Sequence, residues 1–281
     1  MAAPLYPLLH PVAQLSWTSF TVHWSTVIGL LALAGLYEWR ARAATADRSL
    51  GAPPTAAQRA SFIAGLVAIF LSLNGPLHDL SDSFLFSAHM VQHLVLTLVV
   101  PPLLIVGTPA SLFRQALRSR TVARVARVVT KPALCFAIFN VVLTAWHFPV
   151  AYNLAVAYHP VHIAQHLMFM VAATLMWWPL LSPIPELPRL PYPLQMLYCF
   201  LMTIPMSLVA VSITYSEGIL YPAYASAPRL WGISPMQDQL LGGLIMWIPG
   251  GLFFVAVMSV IFFKWAAANS DTVEGAQAAR Y

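Results

Sequence analysis

The sequence predicts an all-α integral membrane protein, built as a bundle of seven transmembrane helices. Of its 281 residues, 59% are hydrophobic and only 8% are charged, whereas about a quarter of the residues of a soluble domain are charged. The apolar runs are long and lack the alternating pattern of barrel strands, so we expect helices to cross the membrane. No loop is long enough to bury a soluble core of its own.

Seven apolar runs have the length of a membrane-spanning helix, which is about 20 residues. Proline falls inside several of them, and kinks are expected at Pro101-Pro102, Pro205 and Pro249; neighbouring helices must cover the backbone groups that proline leaves unpaired. The seven-helix domain extends over residues 1–265, and we expect the small polar tail, 266–281, to be disordered in the cytoplasm. The predicted spans are 17–39, 60–77, 84–106, 132–150, 162–182, 194–215 and 239–264.

The charges of the first three loops predict the orientation. The second loop carries only Asp79 and Asp82, while the first and third loops are basic. Because basic loops stay in the cytoplasm, the N-terminus is expected outside and the C-terminus inside. The basic residues are Arg40, Arg42, Arg48 and Arg59 in the first loop, and Arg114, Arg118, Arg120, Arg124, Arg127 and Lys131 in the third.

Residues 110–129 alternate arginines with apolar side chains. This pattern predicts a basic amphipathic helix on the inner face, in contact with anionic lipid headgroups. A nucleic-acid partner is not expected, since a short basic stretch between spans is what the topology alone requires.

All nine histidines fall on the expected outer side, and four of them form a repeated pattern. His89 and His93, and again His162 and His166, occur as His-x-x-Gln-His at the start of an apolar run. Residues four apart share one helix face, so each pair can present two imidazoles together. Ionisable groups at membrane depth usually belong to a functional site. His10, His23 and His159 stand apart from this pattern and are interpreted as interfacial polar residues.

The pattern favours a metal site without catalysis. Imidazole is a ligand for copper, zinc, iron and nickel, and methionine thioethers add a preference for Cu(I). Glutamine replaces the glutamate of the His-Glu-x-x-His zinc motif, which removes the general base of a metalloprotease. We therefore expect a non-enzymatic protein that binds copper, as Cu(I) or Cu(II), ahead of zinc. The expected ligands are His89, His93, His162, His166, His147 and His78, with Gln92, Gln165, Asp79 and Asp238 orienting the imidazoles.

Other residues have plainer expected roles. Most methionines are interpreted as packing residues. Cys135 and Cys199 are interpreted as buried apolar residues, neither ligands nor a disulfide. Gly242 and Gly243 allow a neighbouring helix to approach closely. The sequence is compatible with a monomer and with a homodimer packed through small residues.

Five motifs in order make the chain resemble the Bacillus-type cytochrome c oxidase assembly factor CtaG family over roughly residues 60–260. The resemblance implies a seven-helix protein of the bacterial cytoplasmic membrane that helps copper reach a haem–copper oxidase subunit from the outer face, supplied by an extracytoplasmic copper donor. It implies His89, His93, His162 and His166 as ligands, with His147 beside them. The motifs are His89-Met-Val-Gln-His93 with Pro101-Pro-Leu-Leu-Ile-Val-Gly107, Trp146-His-Phe-Pro149, His162-Ile-Ala-Gln-His166 with Trp177-Trp-Pro179, Asp238-Gln239, and Trp247-Ile-Pro-Gly-Gly251.

Three other functional classes are also compatible with the sequence. A haem b electron carrier would use one axial histidine from each of two helices, but the paired motifs offer more imidazoles than one haem needs. An integral-membrane metalloenzyme would need a base, for which the nearby candidates are Asp79, Asp82 and Asp238. A transporter would need a polar track into the inner half of the bundle, which the spans do not show.

Overall fold

The computed structural model describes residues 20–46 and 51–278, and within these ranges the chain is helical and contains no strand. His10, the start of the first predicted span (17–19) and residues 279–281 lie outside the described residues. The helices are α1 (Trp24–Ala46), α2 (Ala56–Leu73), α3 (Gly75–Ser83), α4 (Phe86–Leu94), α5 (Val100–Gly107), α6 (Ala110–Leu117), α7 (Arg120–Val129), α8 (Pro132–His147), α9 (Pro149–Ala157), α10 (His159–Leu181), α11 (Tyr192–Thr214), α12 (Pro222–Ala225) and α13 (Pro235–Ala278), with a π-helical segment at Val95–Val99 between α4 and α5.

Five helices of the described chain are long and apolar enough to cross a membrane, which makes this a multi-pass membrane protein. They are α2, the continuous run Phe86–Gly107, α10, α11 and the Pro235–Ser270 part of α13. Large apolar side chains on these helices are exposed, for example Leu197, Leu208 and Phe263, as expected of surfaces that lipid covers. The main core lies between α4, α8, α10, α11 and α13.

The two remaining predicted spans are less clear. Helix α8 has 16 residues and qualifies only together with α7, from which it is bent by 76°. Helix α1 exists, but it begins at Trp24 and its second half carries Glu38, Arg40 and Arg42. The structure thus supports five or six candidate spans, and the seven-span count and the direction of insertion stay predictions.

The third predicted span is irregular ahead of its two prolines, at the π-helical segment Val95–Val99. Pro101 has no N–H to donate to the carbonyl of Thr97, four residues earlier. The indole Nε1 of Trp177 donates to that carbonyl at 2.9 Å, and the Thr97 hydroxyl donates to the carbonyl of His93 at 2.7 Å. A side chain therefore satisfies the Thr97 carbonyl, so the helix continues through this irregular segment without leaving that buried group unpaired.

The glycine pair of α13 provides the close approach that the sequence predicts. A Cβ atom on Gly242 would lie 2.3 Å from the ring of Phe86 on α4, and one on Gly243 would lie 2.3 Å from the hydroxyl of Thr214 on α11. No side chain fits at either position, so α13 packs directly against both helices.

Two segments differ from the predicted local structure. The basic stretch 110–129 forms two helices, α6 and α7, because Ser119 caps the second one by accepting from the N–H of Val122. At the chain's end, α13 continues to Ala278 where the sequence predicts disorder from residue 266. The alanines that follow Trp265 are strong helix formers and explain the extension.

Candidate metal centre

The histidines of the described chain meet at one end of the bundle. Helices α4 and α10 begin there and α8 ends there, while the arginines of α6 and α7 lie at the opposite ends of these helices. Neighbouring rings have centroids between 4.2 and 6.5 Å apart. All six predicted ligands are buried: His78, His89, His93, His147, His162 and His166.

Asp238 fixes the helix that carries His89 and His93. Its Oδ2 accepts from the N–H of Phe86 at 2.7 Å, and its Oδ1 accepts from the N–H of Ser87 at 3.0 Å. These are the first free amides of α4, which a carboxylate satisfies particularly well. The carboxylate of α13 therefore caps a neighbouring helix, and it contacts these amides in place of the expected histidine N–H.

Tyr224 sets the tautomer of His89. The Tyr224 hydroxyl donates its one proton to the carbonyl of Ser81 at 2.8 Å, so toward the His89 Nδ1, 3.2 Å away, its oxygen can only accept. His89 therefore carries its proton on Nδ1, and its Nε2 presents a lone pair. The sequence analysis missed Tyr224, because it lies 135 residues from His89 along the chain and no motif links the two.

His89, His93 and His166 form a three-imidazole group. One nitrogen from each lies within 4.8 Å of the others, and the Nε2 atoms of His89 and His93 are 2.8 Å apart. The Nδ1 of His93 and the Nε2 of His166 are buried and accept or donate no hydrogen bond within the described residues. Buried polar atoms normally have partners, so this geometry is suited to a cation among the rings.

A second group of three candidate ligands overlaps the first through His89. It consists of Asp82, His89 and His162, again with ligand atoms within 4.8 Å of one another. The Oδ2 of Asp82 lies 3.5 Å from the Nδ1 of His162 and 3.4 Å from the Nε2 of His78. The sequence suggested Asp82 as an acid that could orient an imidazole or attract cations from outside, and its spacing of four from His78 places both on one helix face.

The residues expected to orient imidazoles differ in the contacts that they make. The Nε2 of Gln92 lies 3.3 Å from the Nδ1 of His78 and donates to the carbonyl of Ser72 at 2.6 Å, so Gln92 contacts a histidine as predicted. Asp79 instead accepts from the hydroxyl of Thr21 at 2.8 Å and holds the chain ahead of α1. Gln165 is fully buried, and its amide atoms have no hydrogen-bond partner in the described chain.

The outlying histidines extend the cluster on both sides. His147 donates from Nδ1 to the carbonyl of Leu143 at 2.7 Å, and its ring centroid is 6.0 Å from that of His93. On the other side, the ring of His23 lies 4.4 Å from that of His78 and 6.2 Å from that of His159. His23 and His159 thus adjoin the cluster, although the sequence suggested separate interfacial residues.

A model of the cytochrome c oxidase caa3 assembly factor family matches residues 30–268 of the chain, which include every predicted ligand. The chain belongs to this family. The match confirms the resemblance that the sequence motifs indicated.

Curated relatives are similar in part of their length. Uncharacterized proteins of Mycobacterium tuberculosis and Mycobacterium bovis are 26% identical over 200 residues, which is 66% of this chain and 30% of theirs. An uncharacterized protein of Mycobacterium leprae is 23% identical over 222 residues, 73% of this chain and 34% of its own. The chain thus spans about a third of the length of these relatives. No solved structure matches it.

Proposed function

We propose that this assembly-factor family member binds copper at its histidine cluster and passes it to a haem–copper oxidase subunit during oxidase assembly. The observation that carries the proposal is the three-imidazole group of His89, His93 and His166 with its unpaired buried nitrogens. Copper is the cargo in this proposal, so the protein itself catalyses no reaction.

The donor set favours copper over harder ions. Imidazole nitrogen is an intermediate to soft ligand that binds Cu(I), Cu(II) and Zn(II), while Mg(II) and Ca(II) prefer oxygen. Within the described ranges, Asp82 is the one carboxylate that lies among the imidazoles. A site with mostly neutral ligands suits a singly charged ion such as Cu(I) better than a doubly charged one, because less charge is left uncompensated inside the bundle.

The proposed orientation places the histidine end of the bundle outside the cytoplasmic membrane. The seven predicted spans come from the apolar runs, and the outer N-terminus and inner C-terminus follow from the basic loops. In that arrangement α6 and α7 lie at the inner leaflet, where their arginines meet anionic lipid, and an extracytoplasmic copper donor reaches the histidines from outside.

Lateral transfer to the oxidase is supported by the surroundings of His166. Its ring lines an apolar groove of about 580 Å³ that α1, α2, α5 and α10 form, with Leu30, Leu33 and Leu167 among its walls. The groove opens toward the lipid side of the helices, so a membrane-embedded segment of an oxidase subunit lying there would reach a ligand of the three-imidazole group.

A haem b carrier ranks second. A porphyrin needs a slot of several hundred cubic ångströms. The groove of about 580 Å³ beside His166 has that volume, but His166 is the one histidine among its described lining residues, so the groove offers one axial ligand where this class expects two. A metalloenzyme using Asp82 as base is the remaining alternative, and it requires a substrate to reach a carboxylate that is only 3% exposed.

Metal analysis of the purified protein after copper loading tests the proposal. Wild type is compared with the His89→Ala/His93→Ala/His162→Ala/His166→Ala variant, with an absorption spectrum of each sample and His159→Ala as the control at the edge of the cluster. We expect wild type and control to retain copper, the quadruple variant to lose it, and no Soret band. Equal copper in all three samples would refute the ligand assignment, and a Soret band would favour the haem carrier.

A further inference from the structure

The group of Asp82, His89 and His162 differs from the three-imidazole group in charge. One ligand atom from each of these residues lies within 4.8 Å of the others, and His89 belongs to both groups. The three side chains are buried. Two imidazoles with one carboxylate is a ligand set found in zinc sites of proteins, whereas the three-imidazole group contains no carboxylate. The two groups are therefore suited to ions of different charge.

The contact between Asp82 and His162 has the length expected of two ligands of one ion. The Oδ2 of Asp82 lies 3.5 Å from the Nδ1 of His162. A hydrogen bond within an ion pair is shorter, at about 2.7–2.9 Å. Two ligand atoms bound to the same tetrahedral zinc ion, each at about 2.0–2.2 Å, are about 3.3–3.6 Å apart. This separation fits two ligands of a shared cation better than a direct ion pair.

His78 supports the carboxylate from the other side. The Nε2 of Gln92 donates to the carbonyl of Ser72 at 2.6 Å, which fixes the orientation of its amide, and the same nitrogen lies 3.3 Å from the Nδ1 of His78. Because an amide nitrogen can only donate, a neutral His78 carries its proton on Nε2, 3.4 Å from the Oδ2 of Asp82. Donors placed around a ligating carboxylate are a common feature of metal sites.

We propose that Asp82, His89 and His162 form a second metal position, which takes a divalent ion such as Zn(II). The Asp82 carboxylate neutralises half of the charge of a divalent ion. The same ion among three neutral imidazoles would leave its whole charge uncompensated in the buried bundle. Each group therefore has its own preferred ion, divalent at Asp82 and Cu(I) at the three-imidazole group.

His89 couples the two positions. A neutral imidazole has one lone pair, so His89 can bind an ion in only one of the two groups at a time. A divalent ion at the second position therefore removes a ligand from the copper position, and copper binding weakens. Coupling of this kind is reciprocal, so Cu(I) weakens Zn(II) binding by the same factor. The coupling rests on the proposed copper-binding function, whereas the divalent position does not.

Metal titrations of the full-length protein in detergent test the second position. Zn(II) affinity is measured by competition with a chelator in copper-free protein, and Cu(I) affinity is measured separately under anaerobic, reducing conditions. Asp82→Asn/His162→Gln should lose Zn(II) and retain Cu(I). The matched control, His93→Gln/His166→Gln, changes two ligands that belong only to the three-imidazole group, and it should retain Zn(II) and lose Cu(I).

The coupling is tested by repeating the Cu(I) titration with Zn(II) at saturation. We expect the Cu(I) affinity of wild type to fall about 10-fold, within the range usual for coupled sites. Asp82→Asn/His162→Gln should show no such fall. If Zn(II) weakened Cu(I) equally in this variant, the two ions would compete for one position, and the proposed second position would be refuted.

The outcomes separate this inference from the proposed function. Wild type that binds Cu(I) but no Zn(II) would overturn the second position and leave the copper proposal standing. Wild type that binds Zn(II) but no Cu(I) would do the reverse. Loss of Zn(II) in His93→Gln/His166→Gln alone would place Zn(II) in the three-imidazole group and overturn the second position. The wild-type titrations need no variant, so a variant that misfolds does not block the test.

Discussion

At the scale of single residues, the site depends on which nitrogen of each imidazole carries the proton. Tyr224 controls this for His89, and the carbonyl of Leu143 controls it for His147. Tyr224 lies in α12, outside the candidate spans, and burial holds the pKa of its phenol well above the ordinary value. Its hydroxyl therefore stays protonated at neutral pH and keeps the His89 lone pair directed at the proposed copper position.

Removing the Tyr224 hydroxyl should weaken copper binding. Tyr224→Phe leaves the His89 N–H without its acceptor, and loss of such a supporting hydrogen bond typically lowers metal affinity about 10–100-fold. Competition with a chelator of known affinity measures this. Tyr221→Phe is the control, because the Tyr221 hydroxyl contacts the backbone carbonyl of His147 and not an imidazole nitrogen. Equal loss in both variants would contradict the assigned role.

Asp82 should distinguish divalent from monovalent ions. Asp82→Asn removes the carboxylate that the described part of the chain places among the imidazoles, and leaves His89, His93 and His166 intact. Because the lost charge compensates a doubly charged ion more than a singly charged one, affinity for Zn(II) and Cu(II) should fall more than affinity for Cu(I). Titration with each ion checks the order. Cu(I) affected as strongly as Zn(II) would indicate that Asp82 acts through the shape of the site.

At the scale of elements, the position of the histidines depends on how α13 holds α4. The Asp238 carboxylate accepts from two amides at the start of α4, and Gly242 lets the helices approach until Phe86 fills the space of a side chain. Together, these two contacts fix the rotation of α4 about its axis and its position along that axis. His89 and His93 follow within two turns of the start of α4, so their positions are fixed as well.

Asp238→Ala should therefore affect stability and metal binding together. It leaves two buried N–H groups unpaired, at a cost of about 1–3 kcal/mol each. A lower melting temperature in detergent, with reduced copper retention, is expected. Asp238→Asn keeps a neutral acceptor, so its melting temperature and copper retention should lie between those of wild type and Asp238→Ala. Wild-type stability in the alanine variant would show that α4 does not need this cap.

At the scale of the whole molecule, the arginines of α6 and α7 and the clustered imidazoles lie at opposite ends of the bundle. The arginines of α6 and α7 are exposed on helices outside the core, and Arg114 pairs with Glu186 at 2.8 Å. The histidines are buried between helices at the other end. This separation is what a copper site facing outward and a lipid-binding surface facing inward would require.

Labelling of introduced cysteines tests the orientation in intact cells. A membrane-impermeant maleimide should label Glu217→Cys, in the connection after α11, and should label Arg120→Cys only after permeabilisation. The native Cys135 and Cys199 are buried and should contribute little background. The reverse pattern of labelling would invert the proposed topology.

Local patterns were sufficient for most of the helices and for the pairing of histidines on one helix face. The apolar runs predicted the five clearest spans, and the His-x-x-Gln-His spacing predicted that His89 and His93 share a face. The limits of this reasoning are visible at α1, where charged residues make the span uncertain, and at residues 110–129, where Ser119 divides one predicted helix into two.

The sequence by itself determined the fold class, the family and the four histidines of the repeated motif, because helical periodicity and hydropathy are properties of neighbouring residues. Only the tertiary structure decided that Asp82 and Tyr224 join the site, that Asp238 caps α4, and that two groups of candidate ligands share His89. Those contacts connect residues far apart in the chain, so they depend on how whole helices pack and leave no local pattern.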